Sequence, residues 1–315
     1  MKKSKLKGQV SSLKAKLASL SAGPGSPPEA TAAPPAPPIG SAQQEAPPDI
    51  GTPKSAMVIM AHPDDAEFVL SGTVAKWCAE GAEVTYVLVT SGDKGTHDMA
   101  MTREKLAAMR ESEQRAACKV LGVKECVFLG YPDGFTVDDL ELRGQIVRLL
   151  RLYRPEVVLT WDGFRGSFNH RDHRNVGVSV MDAVYPVVRD RLFYERDEAD
   201  GLHSVQVNEV LLGGAADPDY TVDITAHWET KIDAILCHTS QIGSRTREDF
   251  LKQRREQVEK DGEKPIEERF RRWSIRRPPR VEPKNVEAAE ETAEELPAGA
   301  VPAPQAKSKG QRGAG

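Results

Sequence analysis

The chain has 315 residues, of which 39% are hydrophobic and 29% charged, with a formal net charge of -4; that length suits one large domain or two small ones. No apolar run reaches the roughly 18 residues of a membrane-spanning helix, and the mildly acidic balance gives no overall attraction to nucleic acid. Cys78, Cys118, Cys126 and Cys237 form no CxxC pair, so reduced thiols packed as small hydrophobes in a cytoplasmic protein are expected.

In chain order, six lysines and no acid precede residue 21, and Leu6, Val10, Leu13, Leu17 and Leu20 step by four and three. That is the seam of a basic amphipathic helix, suited to a partner protein or an anionic membrane surface. The seam is short for either use, and Lys14 and Lys16 interrupt what would be the apolar region of a signal peptide. Ten of the 22 prolines then fall between Ala22 and Pro53. Residues 1–53 are therefore predicted to be a basic segment on a disordered Pro/Ala-rich linker, solvated and without a partner.

From Lys54 onward, short apolar runs alternate with amphipathic helices. Ala56 to Ala61 reads as a buried strand, Ala66 to Glu80 as a helix, Glu83 to Thr90 as a strand, and Thr102 to Gly122 as a helix. Cys126 to Leu129, a helix from Asp138 to Tyr153, and Glu156 to Trp161 repeat the pattern. Val205 to Leu212 and Tyr220 to Ile224 are two further strands, with helices at Ala226 to Cys237 and from Thr246 onward. Arg269, Arg271, Arg272, Arg276 and Arg277 read as a solvated helix end leading into a disordered charged tail over 276–315. The fold class is therefore α/β: a Rossmann-like, doubly wound, mostly parallel sheet in a single domain over 54–275, with disordered N- and C-terminal tails.

In such sheets ligands bind beyond the carboxyl ends of the strands, where strand order reverses. With the order 3-2-1-4, the loops after Ala61 and Trp161 meet. The first reads His62-Pro63-Asp64-Asp65 and the second leads to Asn169-His170-Arg171-Asp172-His173. A catalytic zinc site takes three protein ligands and leaves a position for water; His62, Asp65 and His173 supply a His-Asp-His set, which accepts Zn2+ or Fe2+. Asp64 is then free to act as general base, and a protonated His170, oriented by Asp172, to stabilise an oxyanion and supply a proton.

AHPDDAEF with GTVAKW after it, and NHRDHRNVG, resemble the signature motifs of the LmbE-like, or PIG-L, zinc-dependent N-acetylglucosaminyl deacetylases. TSGDKGTHD, RESEQRAACKVLGV, FLGYPDG and CHTSQ extend the likeness over the core. The resemblance implies the same three metal ligands, Asp64 as base, and His170, tuned by Asp172, as acid. It also implies that Arg110 and Asp133 touch the sugar or its attached group. One departure is that Ala66 separates the Asp pair from Glu67, where many relatives have Glu directly. His238, in CHTSQ, reads as a structural histidine and stays outside the site.

The function expected is hydrolytic removal of an N-acetyl or similar acyl group from a small-molecule amino-sugar conjugate. The alternatives are a metal-dependent phosphoesterase, which needs a second metal and more ligands than these three, and a non-catalytic binding module on the same fold, which has no use for an intact base and acid. Dinucleotide binding is excluded, since His-Pro-Asp-Asp stands where the glycines of that motif belong. Oligomeric state and the identity of the conjugate are left open.

Overall fold

β1 (Ser55–Met60) is apolar along nearly its whole length because both of its faces are covered. Ala56, Val58 and Met60 enter one buried cluster, while Met57 and Ile59 enter another on the opposite side, as in a strand inside a parallel sheet. The structure, a computed structural model, describes residues 48–167 and 169–275. The basic segment, nearly all of the Pro/Ala-rich linker, the charged tail, Arg276 and Arg277 lie outside the described residues.

β2 (Glu83–Thr90), β3 (Glu125–Tyr131), β4 (Val157–Trp161), β5 (Glu209–Gly213), β6 (Tyr220–Asp223) and β7 (Glu267–Ser274) complete a seven-stranded sheet of order β3-β2-β1-β4-β5-β7-β6. The first five strands are parallel, and β7 runs antiparallel to both β5 and β6. The expected 3-2-1-4 order is present, so strand order reverses at β1, between β2 and β4. The sheet is mixed rather than wholly parallel.

The helix expected over Ala66 to Glu80 is two helices, α1 (Asp65–Val69) and α2 (Ser71–Ala79), broken at Leu70 with φ -147°. α3 (Arg103–Leu121) begins at Thr102, whose side chain accepts the Lys105 N–H, and ends at Gly122 with φ 81°, a left-handed closing position that glycine takes at no steric cost. α4 (Leu140–Tyr153) starts at the Asp139 cap, and α5 (Arg171–Val184) follows β4. Then come α6 (Glu195–Ala199), α7 (Trp228–Leu236), α8 (Thr239–Ile242) and α9 (Arg247–Asp261). Trp77, Ala117, Leu121 and Ala234 of α2, α3 and α7 cover one sheet face; Ile146, Leu150, Val176 and Val180 of α4 and α5 cover the other. No helix of the described residues is long and apolar enough to cross a membrane.

Two close approaches set the position of α5. A Cβ on Gly177 would lie 2.4 Å from the Trp161 carbonyl oxygen, and one on Gly163 would lie 2.6 Å from the Val178 nitrogen. The helix that carries the second His/Asp motif is thus pressed, backbone to backbone, onto the end of β4.

The basic cluster differs from the expected helix end. Arg269, Arg271 and Arg272 belong to β7, where Glu268 and Phe270 point inward, 4% and 0% exposed. Glu268 accepts the amides of Gly72 and Thr73 at 2.9 and 2.7 Å, and Arg272 Nε donates to Glu209 Oε2 at 2.9 Å. A period of two is present, but the inward Phe270 is flanked by the charged Glu268 and Arg272, which hide it from a hydrophobicity pattern.

Candidate metal centre and active site

His62 stands two residues beyond the end of β1, and the chain turns through Pro63 and Asp64 into α1. Asp64 sits at φ 93°, a conformation that a non-glycine residue holds only where its surroundings impose it. Asp65 lies in the first helical turn, where its Oδ2 accepts the His62 N–H at 2.9 Å and the Trp161 indole Nε1–H at 3.0 Å. The same indole stacks on the His173 ring, with centroids 4.0 Å apart and planes within 9°. Trp161, the last residue of β4, was not singled out from the sequence; its polar tip and flat face together fix one carboxylate and one imidazole.

Three donor groups close on one another. His62 Nδ1 is 3.4 Å from Asp65 Oδ2, His173 Nε2 is 3.2 Å from Asp65 Oδ1, and the two nitrogens are 3.3 Å apart. Ligands about 2.0–2.1 Å from a tetrahedral ion stand roughly 3.3 Å from each other, which is the spacing of the two imidazole nitrogens, and Asp65 turns one carboxylate oxygen toward each of them. The residues present therefore fit a metal. The charge balance fits as well: burial lowers the pKa of His62, but hydrogen bonds that its ring donates to Asp133, Asp172 and Asp65 outweigh it and push the imidazole up to about 12. This cluster attracts positive charge. Burial raises the carboxyl of Asp65, yet His173 and His62 hold it well below the usual carboxylate range.

The other ring nitrogen of His62 faces a second set of acids. Its Nε2 is 3.1 Å from Asp172 Oδ2 and 3.2 Å from Asp133 Oδ1. The Asp172 carboxylate, wholly buried, also accepts the Gly134 N–H at 2.6 Å, the Thr136 N–H at 3.2 Å and the Thr136 hydroxyl at 2.7 Å. Burial works against its ionised form, but these donors keep it a carboxylate well below the ordinary range.

This arrangement corrects the expected pairing of Asp172 with His170. The carboxylate of Asp172 goes to His62; what reaches His170 is its backbone N–H, donated to Nδ1 at 3.2 Å. His170 is the N-cap of α5, so its imidazole takes a main-chain bond and the Asp172 side chain turns toward the Gly134–Thr136 loop. With Nδ1 accepting this bond, the proton of a neutral His170 ring sits on Nε2. Burial, then the charges of His62 and His173, lower its pKa. The ring stands 4.9 Å from that of His62 and 5.1 Å from that of His173, centroid to centroid, on the rim of the cluster.

Asp64 flanks the same cluster. Burial, and then the charge of Asp65, push its carboxyl up to about 7, against the pull of Arg110. Arg110, expected to touch substrate, is only 5% exposed. Its Nη2 donates to the Pro63 carbonyl at 2.6 Å and lies 3.3 Å from Asp64 Oδ2, while Nη1 donates to the Gly92 carbonyl at 3.2 Å. Asp133 is placed at the cluster through His62, its main chain tied to the β2 loop by Asp93 and by Lys94 Nζ at 2.6 Å. His238 is outside the cluster and wholly buried, as expected of a structural histidine. Glu67, Gln114 and Thr136 are likewise buried around the site; spacing alone did not single out Gln114 and Thr136, because each acts through contacts to loops far away in the chain.

Comparison with known proteins points one way. The profile of the family described as "PIG-L: GlcNAc-PI de-N-acetylase" matches residues 57–184. The chain is 33% identical over 188 residues to a diacetylchitobiose deacetylase of Thermococcus kodakarensis, covering 60% of this chain and 70% of that one. It is 28% identical over 231 residues to the 1D-myo-inositol 2-acetamido-2-deoxy-alpha-D-glucopyranoside deacetylase of Actinosynnema mirum, covering 60% of this chain and 81% of the other. The N,N'-diacetylchitobiose deacetylase of Pyrococcus horikoshii, solved with an inhibitor, superposes with a TM-score of 0.64 at 31% identity, covering 72% of this chain and 87% of that chain.

Proposed function

The chain belongs to the PIG-L family, and from that premise we propose that it is a metal-dependent N-deacetylase that removes the acetyl group from an N-acetylglucosamine-type conjugate. The observation that carries the reading is the pair of imidazole nitrogens of His62 and His173, 3.3 Å apart and spanned by the two oxygens of the Asp65 carboxylate at 3.4 and 3.2 Å, flanked by one carboxylate and one imidazole that are not needed to hold a metal. The relatives named above as deacetylases of N-acetylated amino sugars supply the substrate class. Four cysteines that are all free thiols agree with the proposed cytoplasmic location, and 54–275 is proposed as the catalytic domain.

Zn2+ or Fe2+ held by His62, Asp65 and His173 would supply Lewis acidity and lower the pKa of a bound water. Asp64 takes a proton from the attacking water as its oxygen adds to the amide carbonyl. A carboxyl raised toward neutrality both accepts that proton and returns it, here to the nitrogen of the departing amine as the C–N bond breaks. Acetate and a free amine leave, and Asp64 is again ionised. His170 donates its Nε2–H to the oxygen that gains charge in the tetrahedral intermediate. It acts as a neutral donor, so the acid step falls to Asp64. Asp133 stands on the far side of His62 from that triangle, where it is proposed to meet hydroxyls of the sugar; Arg110 is proposed to act on the substrate side through Asp64.

The experiment is metal analysis of the purified protein with an assay for amine released from N-acetylglucosamine conjugates, wild type beside Asp64→Ala. The expected result is one metal per chain in both proteins and a loss of turnover of about a hundredfold or more in the variant. Two metals per chain would favour the phosphoesterase, and metal without amine release from any conjugate would refute the substrate class.

A further inference from the structure

Four buried side chains behind Asp64 take no part in the reaction proposed above, and one of them, Gln114, touches the loop that carries the base. Gln114 lies one turn beyond Arg110 on α3 and is wholly buried. Its Oε1 accepts the backbone N–H of Asp64 at 3.0 Å. Arg110 Nη2 donates to the Pro63 carbonyl at 2.6 Å. That carbonyl and that N–H belong to the same peptide plane, so two side chains of one helix face grip the Pro63–Asp64 peptide at both ends.

The orientation of this plane sets φ of Asp64, which is 93°. Few residues other than glycine adopt that value without external support. The amide of Gln114 is itself set by its neighbours. Its Nε2 donates to Glu67 Oε1 at 2.9 Å, and Glu67, also wholly buried, faces His238 Nε2 through Oε2 at 3.2 Å. With its NH2 paired to the Glu67 oxygen, Gln114 has its carbonyl oxygen turned toward Asp64. The next residue outward in this layer, Glu113, accepts from the Thr239 and Ser240 hydroxyls at 2.8 and 2.6 Å, which pins the segment carrying His238 to the same helix. Burying polar side chains is costly unless they are paired; here Glu67 orients Gln114, and Gln114 meets the backbone of the base.

We propose that Gln114 is a positioning residue for Asp64, with Glu67 fixing its orientation, so that the pair aims the carboxylate and does not merely fill the core. The inference rests on the reading of Asp64 as the general base, and it gives Glu67 a role despite its displaced place in the motif.

Three variants test it: Gln114→Met, which keeps the volume and removes the acceptor; Gln114→Glu; and Gln114→Glu combined with Glu67→Gln, which reverses the polarity of the pair while keeping its shape and charge. The measurements are metal content, kcat and KM on an N-acetylglucosamine conjugate, and hydrogen exchange of the amides in 62–68. For Gln114→Met, kcat is expected to fall on the order of tenfold to a hundredfold, with metal and KM held, as misaimed catalytic groups do, and exchange in the segment to accelerate. Gln114→Glu faces Glu67 with a like charge and is expected to lose turnover too; the double variant restores most of it. Unchanged kcat and exchange in Gln114→Met would overturn the proposal, since packing alone would then suffice. Loss of metal along with turnover would also overturn it, because Gln114 would then support the whole site. If the wild type releases no amine from any conjugate, the deacetylase reading falls, and exchange alone decides: acceleration upholds the grip on the Asp64 peptide, and no change removes it.

Discussion

His62 is engaged at both ring nitrogens, and the two sides do different work. Nε2 lies against Asp172 and Asp133 at 3.1 and 3.2 Å, and Nδ1 lies against Asp65 and His173 at 3.4 and 3.3 Å. A cation that displaces the Nδ1 proton leaves the other proton held on Nε2 by carboxylates, and the ring then serves as a ligand through Nδ1. Two substitutions separate the roles. His173→Ala removes a donor, and the protein is expected to be purified without metal. Asp172→Asn keeps the size but loses the charge behind His62 and one of the two acceptor oxygens that serve Gly134 and Thr136; metal affinity, measured by competition with a chelator, is expected to fall by about 10–100-fold. Unchanged affinity in Asp172→Asn would mean that Asp133 orients His62 alone. The grouping of His62, Asp65 and His173 was legible in the sequence because it depends on residue types at two predicted strand ends. The partner of Asp172 was not, because a contact 110 residues away depends on which way a side chain turns in the first helical turn.

α5 delivers His173 to the cluster only because Gly163 and Gly177 let the backbones of α5 and the β4 loop meet. Gly177→Ala would place a methyl 2.4 Å from the Trp161 carbonyl and 2.6 Å from the Gly163 nitrogen, backbone atoms that no rotamer change can move aside. The cost is expected to be at least the roughly 1–3 kcal/mol of core overpacking, seen as a lower Tm together with weaker metal binding as α5 lifts. A lower Tm with metal binding intact would detach the helix position from the site. At the opposite side of the sheet, β7 was misread as a helix end because its inward positions are Glu268, Phe270 and Arg272. Arg272 is held by the buried Glu209 at 2.9 Å and lies 5.3 Å over the Tyr220 ring, so its long stem serves as core surface while its head is paired. Arg272→Met keeps the stem and removes the guanidinium from Glu209, which retains the Ser274 hydroxyl at 3.1 Å. Breaking a buried pair in this way costs about 3–5 kcal/mol, and chemical denaturation should show it; a change under about 1 kcal/mol would mean that the pair sits in effectively aqueous surroundings.

For the whole molecule, the order of the first four strands was legible because each βαβ crossover is right-handed and short, which leaves few ways to arrange four alternating units. That order alone brings the loops after β1 and β4 to one place, so the site could be located before any contact was known. The antiparallel end, β5-β7-β6, was not legible, since β7 joins the sheet from more than 40 residues beyond β6 and pairs through a charged strand. Every residue of the candidate site and of both large core clusters lies within 50–275. The N-terminal edge of the folded unit is nevertheless earlier than the linker composition suggests: Asp49 accepts from the Tyr220 hydroxyl at 2.7 Å, that hydroxyl accepts the Ile50 N–H at 3.3 Å, and Arg272 donates to the Pro48 carbonyl. These contacts tie 48–50 to β6 and β7. Removing residues 1–47 is therefore expected to leave Tm and turnover on a small conjugate within the error of the full chain. Extending the deletion through Ile50 strips Tyr220 and Arg272 of these partners. A loss of about 1–2 kcal/mol is expected, with two to three hydrogen bonds removed at partly buried positions, and with turnover unchanged at a temperature well below Tm. Equal Tm for the two truncations would place the boundary after Ile50, and a fall in turnover on removing 1–47 would show that the basic segment serves the reaction itself.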